Sequence, residues 1–150
     1  MDKPTSRTLS ITFLVHMIIA AVFGILLWVI PGRALTLLGW VPPVVQLPDS
    51  QLTVSGQTFV DPVLTRVLGA ALLALAFSSL LGWRATRWEQ VAYLVELEAL
   101  FCLLSVIGIV TSSVRMDHPL PWIGWVILVI FAVFAVIWIL ILQTMRRSTR

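Results

Sequence analysis

Four long apolar stretches follow one another along the chain, and each is long enough to cross a lipid bilayer. They extend over about residues 9–30, 62–83, 88–110 and 120–142. A membrane-spanning helix needs about 20 mainly apolar residues. Pro62 and Pro121 suit the first turn of the second and fourth helices, where a missing backbone N–H leaves no bond unmade. Asp61, just before Pro62, is an N-cap candidate. The pattern predicts an all-α membrane protein, a four-transmembrane-helix bundle that forms a single domain over residues 1–150.

The connections between these spans differ in length. Only residues 84–87 separate the second and third spans, which predicts that these two helices are direct neighbours. The connection between the first and second spans, residues 31–61, is an outer loop of about 30 residues. Its first part, 33–40 (RALTLLGW), is apolar with one charge, so we expect it to lie flat on the membrane surface. Alternation around residues 51–54 permits a small β-hairpin.

Composition supports the membrane assignment, and the distribution of charge gives an orientation. Hydrophobic residues make up 59% of the chain and charged residues only 11%, whereas an average soluble domain has about 25% charged residues. The first span is longer than the 7–15 residues or so of a signal-peptide core, so we expect it to be retained. If the spans alternate, most basic residues fall on one side: Lys3, Arg7, Arg84, Arg87, Arg146, Arg147 and Arg150. The positive-inside rule then predicts that both termini are cytoplasmic.

Two acidic residues, Glu96 and Glu98, lie well inside the third apolar stretch. Ionisable groups at this depth are costly and normally face protein or water. Residues two apart point to nearly opposite sides of a helix, so the two acids need separate surroundings. For each, the structural interpretation is a protonated carboxyl that bonds a neighbouring helix, and the functional one is a ligand or proton site.

Helical rise brings other polar side chains to a similar depth. We expect one polar layer in the inner half of the bundle, and it is our candidate ligand or proton site: His16, Ser78, Tyr93, Glu96 and Glu98. A lone histidine in a membrane helix is more often a packing residue than a ligand. We expect His16 to contact one of the two acids, with Glu96 preferred because its face continues through Tyr93 toward the cytoplasm.

Small residues at four-residue spacing mark faces on which membrane helices can approach closely. The second span has such a row at Arg66, Ala70, Ala74, Ser78 and Gly82, and the first has His16, Ala20, Gly24 and Trp28. These rows predict that the two spans pack together or against the third. Arg66 lies about one turn below the outer surface, where it can extend to the interface or pair with Asp61. The alternative is an outer-face contact with an anion or lipid head group.

The sequence contains few signs of catalysis. We find no nucleotide-binding loop, no nucleophile–base pair and no His, Cys and carboxylate residues at metal-ligand spacing. The single cysteine, Cys102, lies within an apolar span and cannot form an intrachain disulfide. We therefore assign no catalytic residue and no metal, and we expect no nucleic-acid partner. The sequence does not identify a cofactor, which stays unknown.

A family resemblance is visible in the order of these segments. A first span closed by a proline is followed by Leu38-Gly39-Trp40 and then by DPVLTRVLGAALLALAFSSLLGWRA over residues 61–85, with Arg66-x-x-Gly69-Ala70 as its strongest motif. This order resembles the DoxX-like group of small four-helix bacterial membrane proteins. Some members are subunits of quinone-linked sulfur oxidoreductases. The resemblance implies a four-helix fold and a location in the bacterial cytoplasmic (inner) membrane. No catalytic motif matches, so it implies no functional residue.

Three functions fit these observations. The leading one is a non-catalytic accessory or assembly subunit of a larger membrane complex, with the bilayer and other membrane subunits, or copies of itself, as partners. The second is a small carrier or binding protein for a hydrophobic molecule such as a quinone or a lipid. The third is a membrane enzyme that uses the layer of His16, Glu96 and Glu98.

Overall fold

A computed structural model describes residues 5–48, 51–115 and 119–147, with the backbone alone at 146 and 147. Lys3 and Arg150, which contribute to the charge asymmetry, lie outside these ranges. In the described part of the chain, four helices are long and apolar enough to cross a membrane: α1 (Arg7–Val29), α3 (Pro62–Arg84), α4 (Ala92–Arg115) and α5 (Trp122–Arg147). The four predicted spans are therefore confirmed as helices.

The helix beginnings follow local side-chain chemistry. Ser6 precedes α1, and its hydroxyl oxygen accepts a hydrogen bond from the N–H of Leu9 at 3.1 Å. Asp61 precedes α3, and its Oδ1 accepts from two N–H groups of the first turn, as the sequence predicts. The third span was predicted from residue 88, but Trp88–Gln90 form a 3-10 turn and the α-helix begins at Ala92.

The outer loop carries the remaining elements. A short helix, α2 (Pro31–Leu37), follows α1. After it, β1 (Val44–Gln46) pairs antiparallel with β2 (Thr53–Ser55), so the predicted hairpin is confirmed. Gly39 ends the α2 turn with φ 68°, and a Cβ there would lie 2.9 Å from the indole nitrogen of Trp122. The positive φ favours glycine at this position, and a larger residue would also displace the Trp122 side chain.

The helices pack mainly as two pairs, α1 with α3 and α4 with α5. The α1–α3 contact is close because glycines face each other: a Cβ on Gly69 would lie 2.8 Å from the Trp28 backbone nitrogen and 3.0 Å from the Gly24 carbonyl oxygen. Gly82 is equally confined, since its Cβ would lie 2.6 Å from the ring of Phe13. Close approach at small residues is the usual packing mode of membrane helices.

The predicted packing row on α3 is partly wrong. Arg66 and Ala74 are exposed, and the small residues that are buried are Gly69, Ala76, Ser79 and Gly82. A strict four-residue spacing turns by about 40° at each step, because an α-helix advances 100° per residue. A long row at that spacing therefore winds away from the contact face. On α1 the predicted row is buried at His16, Ala20 and Gly24 but not at Trp28.

Large side chains join the two helix pairs in the half of the bundle nearer the chain termini. The buried cluster draws on α1, on α4 with the residue just before it, and on α5: Leu9, Phe13, Val91, Val95, Ala99, Cys102, Phe134, Ala135 and Trp138. Within it, the rings of Phe13 and Trp138 lie 4.8 Å apart between centroids. The polar groups of the candidate site lie beside this apolar cluster.

Candidate functional site

Glu98 is the centre of the polar site. Its side chain is 0% exposed although α4 has apolar residues on nearly every side. Two hydroxyl groups from α3 donate to its Oε1, Ser78 Oγ at 2.9 Å and Ser79 Oγ at 3.0 Å. A buried carboxyl is stable only when its oxygens have such partners. These two bonds are also a direct polar connection between α3 and α4.

His16 brings α1 into the same site. Its Nδ1 lies 2.9 Å from Ser79 Oγ and 3.2 Å from Glu98 Oε2. Ser79 has one hydroxyl proton, and that proton is donated to Glu98. With that bond in place, the Ser79 oxygen can accept from an Nδ1–H group, and this tautomer of His16 completes the set of hydrogen bonds. Three helices therefore meet at one continuous set of hydrogen bonds.

Aromatic rings from α5 cover the other side of His16. Phe134 lies edge-on to the imidazole with 4.7 Å between centroids, and Trp138 lies 6.1 Å away at 85°. Two buried polar atoms, Trp138 Nε1 and Glu98 Oε2, have no hydrogen-bond partner among the described residues. The 3.2 Å separation between His16 Nδ1 and Glu98 Oε2 is close enough for an ion pair, although the hydrogen bond of Nδ1 is with Ser79 Oγ.

The structure brings three of the five predicted layer residues together and separates the other two. His16, Ser78 and Glu98 are in the site, whereas Glu96 is exposed and Tyr93 is 83% exposed. The prediction that His16 contacts Glu96 is wrong. The two acids are about 200° apart around α4, and Glu98 is the one that faces inward. Whether the cluster binds a ligand or moves a proton stays a prediction.

Ser79 belongs to the site although the predicted layer contained only its neighbour Ser78. Ser79 is 0% exposed and touches both His16 and Glu98. The signal that indicates Ser79 is its spacing from its buried neighbours, four residues from Leu75 and three from Gly82. Alternating steps of four and three keep residues on one face of a helix better than repeated steps of four do.

The arrangement can hold a proton in more than one place. With Glu98 ionised, Nδ1–H donates to Ser79, and with Oε2 protonated, the carboxyl can donate to Nδ1 while Ser79 reorients. It is not arranged as a hydrolytic triad. In such a triad the serine and the acid contact opposite nitrogens of the imidazole. Here Ser79 Oγ and Glu98 Oε2 both approach Nδ1, so the acid does not orient the ring toward the serine.

Two further predictions concern ions. Among the residues that the structure describes, no group of three or more His, Cys, Asp and Glu side chains is placed to hold a metal ion. Arg66 is exposed, and its Nε donates to the Trp28 carbonyl oxygen at 3.4 Å. That carbonyl lies in the last turn of α1, where cations are favourable. This contact is neither of those in the structural interpretation of Arg66, so its extension to the interface and a head-group contact both stay predictions.

Together, the fold and the site define a class: a protein of four long apolar helices with one buried His–Ser–Glu cluster at the junction of three of them. No family model, curated protein or solved structure matches the chain. The resemblance to the DoxX-like group therefore stays a prediction. Any function must rest on the geometry of the chain itself.

Proposed function

We propose that this chain is a multi-pass protein of the bacterial inner membrane, with both termini cytoplasmic, that serves as a non-catalytic accessory or assembly subunit of a larger membrane complex. The observation that carries this proposal is the position of Glu98. Its carboxyl is fully buried, accepts two serine hydroxyl groups and lies against His16. The polar side chains that were candidates for a catalytic or ligand site therefore contact one another across helices.

The outer surface supports a membrane location. Large apolar side chains are exposed along all four long helices, and the described extramembrane part is mainly α2 and one small hairpin. In water such a surface would be an aggregation site, whereas lipid or another membrane protein covers it at no cost. The charge asymmetry supports the orientation of the termini.

Helix α5 is the best candidate for a partner contact. It is the most apolar of the four long helices and the least buried within the chain. Val129, Val133, Val136 and Leu140 are all exposed. Their spacing of three and four residues places them on one continuous face. β-branched residues lose little side-chain entropy on packing, which favours a protein contact over a purely lipid one.

Purification in mild detergent followed by mass spectrometry tests the accessory role. A photo-reactive residue at Val133 should cross-link to a second polypeptide in native membranes. The matched control is the same residue at Val22, an exposed valine on α1, which should give mainly lipid adducts. Recovery of a lone monomer, together with lipid adducts at both positions, would rule out the accessory role.

A second candidate, the binding of a hydrophobic molecule such as a quinone or a lipid, is favoured by a different observation. An open groove of about 490 Å³ lies between α3 and the start of α4, and Tyr93 lines it. Lipid extraction of the purified protein should then release a stoichiometric small molecule. An enzymatic role is supported less, because a substrate would have to reach a carboxyl that is 0% exposed.

A further inference from the structure

The groove between the inner ends of α3 and α4 has a composition of its own. It is lined by Leu81, Arg84, Ala85, Gln90, Tyr93 and Leu94. Leu81 and Leu94 lie farther along their helices from the connection than Arg84 and Gln90 do. The groove therefore has a charged end at the helix connection and an apolar wall that extends toward the middle of the bundle.

Two polar side chains of this groove have no partner among the described residues. The guanidinium of Arg84 and the hydroxyl of Tyr93 make no hydrogen bond or ion pair there. Gln90 differs, because its Oε1 accepts from the N–H groups of Thr86 and Arg87 at 3.2 and 3.3 Å and so shapes the connection. A guanidinium and a phenol hydroxyl are thus available to a molecule that enters the groove.

Arg84 gives a positive charge to the end of the groove that lies at the helix connection. Arg84 ends α3, and Arg87 follows in the connection. Glu89 lies in the adjoining 3-10 turn, and Glu96 lies one turn farther along α4 than Tyr93. Of these four charged residues only Arg84 lines the groove, so a head group that enters it meets a positive charge. The apolar wall beyond it fits a hydrocarbon chain rather than a second charge.

We propose that this groove binds one anionic phospholipid, whose phosphate contacts Arg84 and the hydroxyl of Tyr93 and whose acyl chain lies against Leu81 and Leu94. A guanidinium binds phosphate through paired, charge-assisted hydrogen bonds, which a neutral quinone carbonyl cannot match. Trp83, which is partly exposed beside Arg84, and Trp88 are typical of the level of lipid head groups. The proposal rests on the membrane location in the proposed function but not on the accessory role.

Native mass spectrometry of the full-length protein in detergent tests the proposal, with phosphatidylglycerol and phosphatidylcholine of equal chain length as probes. The wild type should retain phosphatidylglycerol about fivefold better, the order expected for one basic contact at a membrane surface. Arg84→Gln should abolish this preference, Arg84→Lys should restore part of it, and Tyr93→Phe should reduce it. Arg33→Gln is the matched control, because Arg33 is an exposed arginine on α2, away from the groove.

Equal retention of the two lipids by the wild type would overturn the proposal. So would an Arg84→Gln variant that keeps the full preference, or a Tyr93→Phe variant that binds as well as the wild type. Unfolding midpoints in lipid-free detergent should be the same for all variants, since Arg84 and Tyr93 are exposed. Partner recovery from native membranes is measured separately, so loss of the lipid preference and loss of the accessory role are distinguishable.

Discussion

The contact between His16 and Glu98 can be measured with a double-mutant cycle. His16→Leu leaves a side chain that still packs against Phe134, and Glu98→Gln keeps the size of the carboxyl while removing its charge. The amide oxygen can still accept from Ser78 and Ser79 in one orientation. Each single variant should then lose about 1–3 kcal/mol of unfolding free energy, the cost of leaving a buried polar group poorly paired.

The size of the coupling energy decides what kind of pair this is. Interhelical hydrogen bonds between neutral side chains in a membrane protein average about 0.6 kcal/mol, with a maximum near 1.7. Hydrogen bonds to charged groups contribute about 1.5–3 kcal/mol. With the two groups 3.2 Å apart, we expect the double variant to lose less than the sum of the singles. A coupling above about 2 kcal/mol would indicate an ion pair, and one near 0.5 a neutral pair.

The assay is reversible unfolding in mixed detergent, followed by far-ultraviolet circular dichroism and tryptophan fluorescence. Glu96→Gln, combined with His16→Leu, is the matched control, because Glu96 is an exposed acid on the same helix. That cycle should be additive within about 0.5 kcal/mol. Additive losses with Glu98, or equal coupling for the two acids, would refute the three-helix site.

Other predictions test packing, capping and topology. Gly69→Ala should lower the free energy of unfolding by about 1–3 kcal/mol, because the new Cβ would meet the backbone of α1. Gly108→Ala is the control: nothing lies within 4 Å of its Cβ, so thermal unfolding should show a neutral or slightly stabilising effect. Equal effects of the two changes would refute the glycine contact. Asp61→Ala should cost about 1 kcal/mol and Asp61→Asn much less, because only the second keeps an oxygen for the first turn of α3; equal losses would show that the cap is not stabilising. In a cysteine-free background, a cysteine at Ser55 should react with impermeant reagents outside intact cells and one at Arg87 should not, and the reverse pattern would invert the orientation.

The number and type of the long helices follow directly from the sequence. Runs of about 20 apolar residues leave few alternatives to spanning helices, since backbone groups in lipid must bond within their own segment. Local chemistry was also predictable, as the Asp61 cap and the hairpin at Thr53–Ser55 show. The ends of the helices were harder to predict, because the sequence has no clear signal for the 3-10 turn at Trp88–Gln90.

The composition of the site was harder to predict. Helical rise brought His16, Ser78 and Glu98 to one depth, and the structure places them together. Depth does not determine which face of α4 points inward. In a soluble helix the polar face marks the solvent side, but in this one apolar residues cover every face. Glu96 and Glu98 therefore gave equivalent signals, and the choice between them depends on the packing of neighbouring helices.

The packing also explains why a polar cluster lies where it does. Glycines allow α1 and α3 to approach closely, and α4 packs on α5, but α3 and α4 have few close backbone contacts. Between apolar helices in lipid there is no hydrophobic force to select one alignment over another. The bonds from Ser78 and Ser79 to Glu98 are directional, and a shift by one residue would break both and leave a carboxyl unpaired in an apolar core. Their main effect is therefore on specificity: they fix how the second helix pair is aligned on the first, and the accessory role that we propose would require such a fixed alignment.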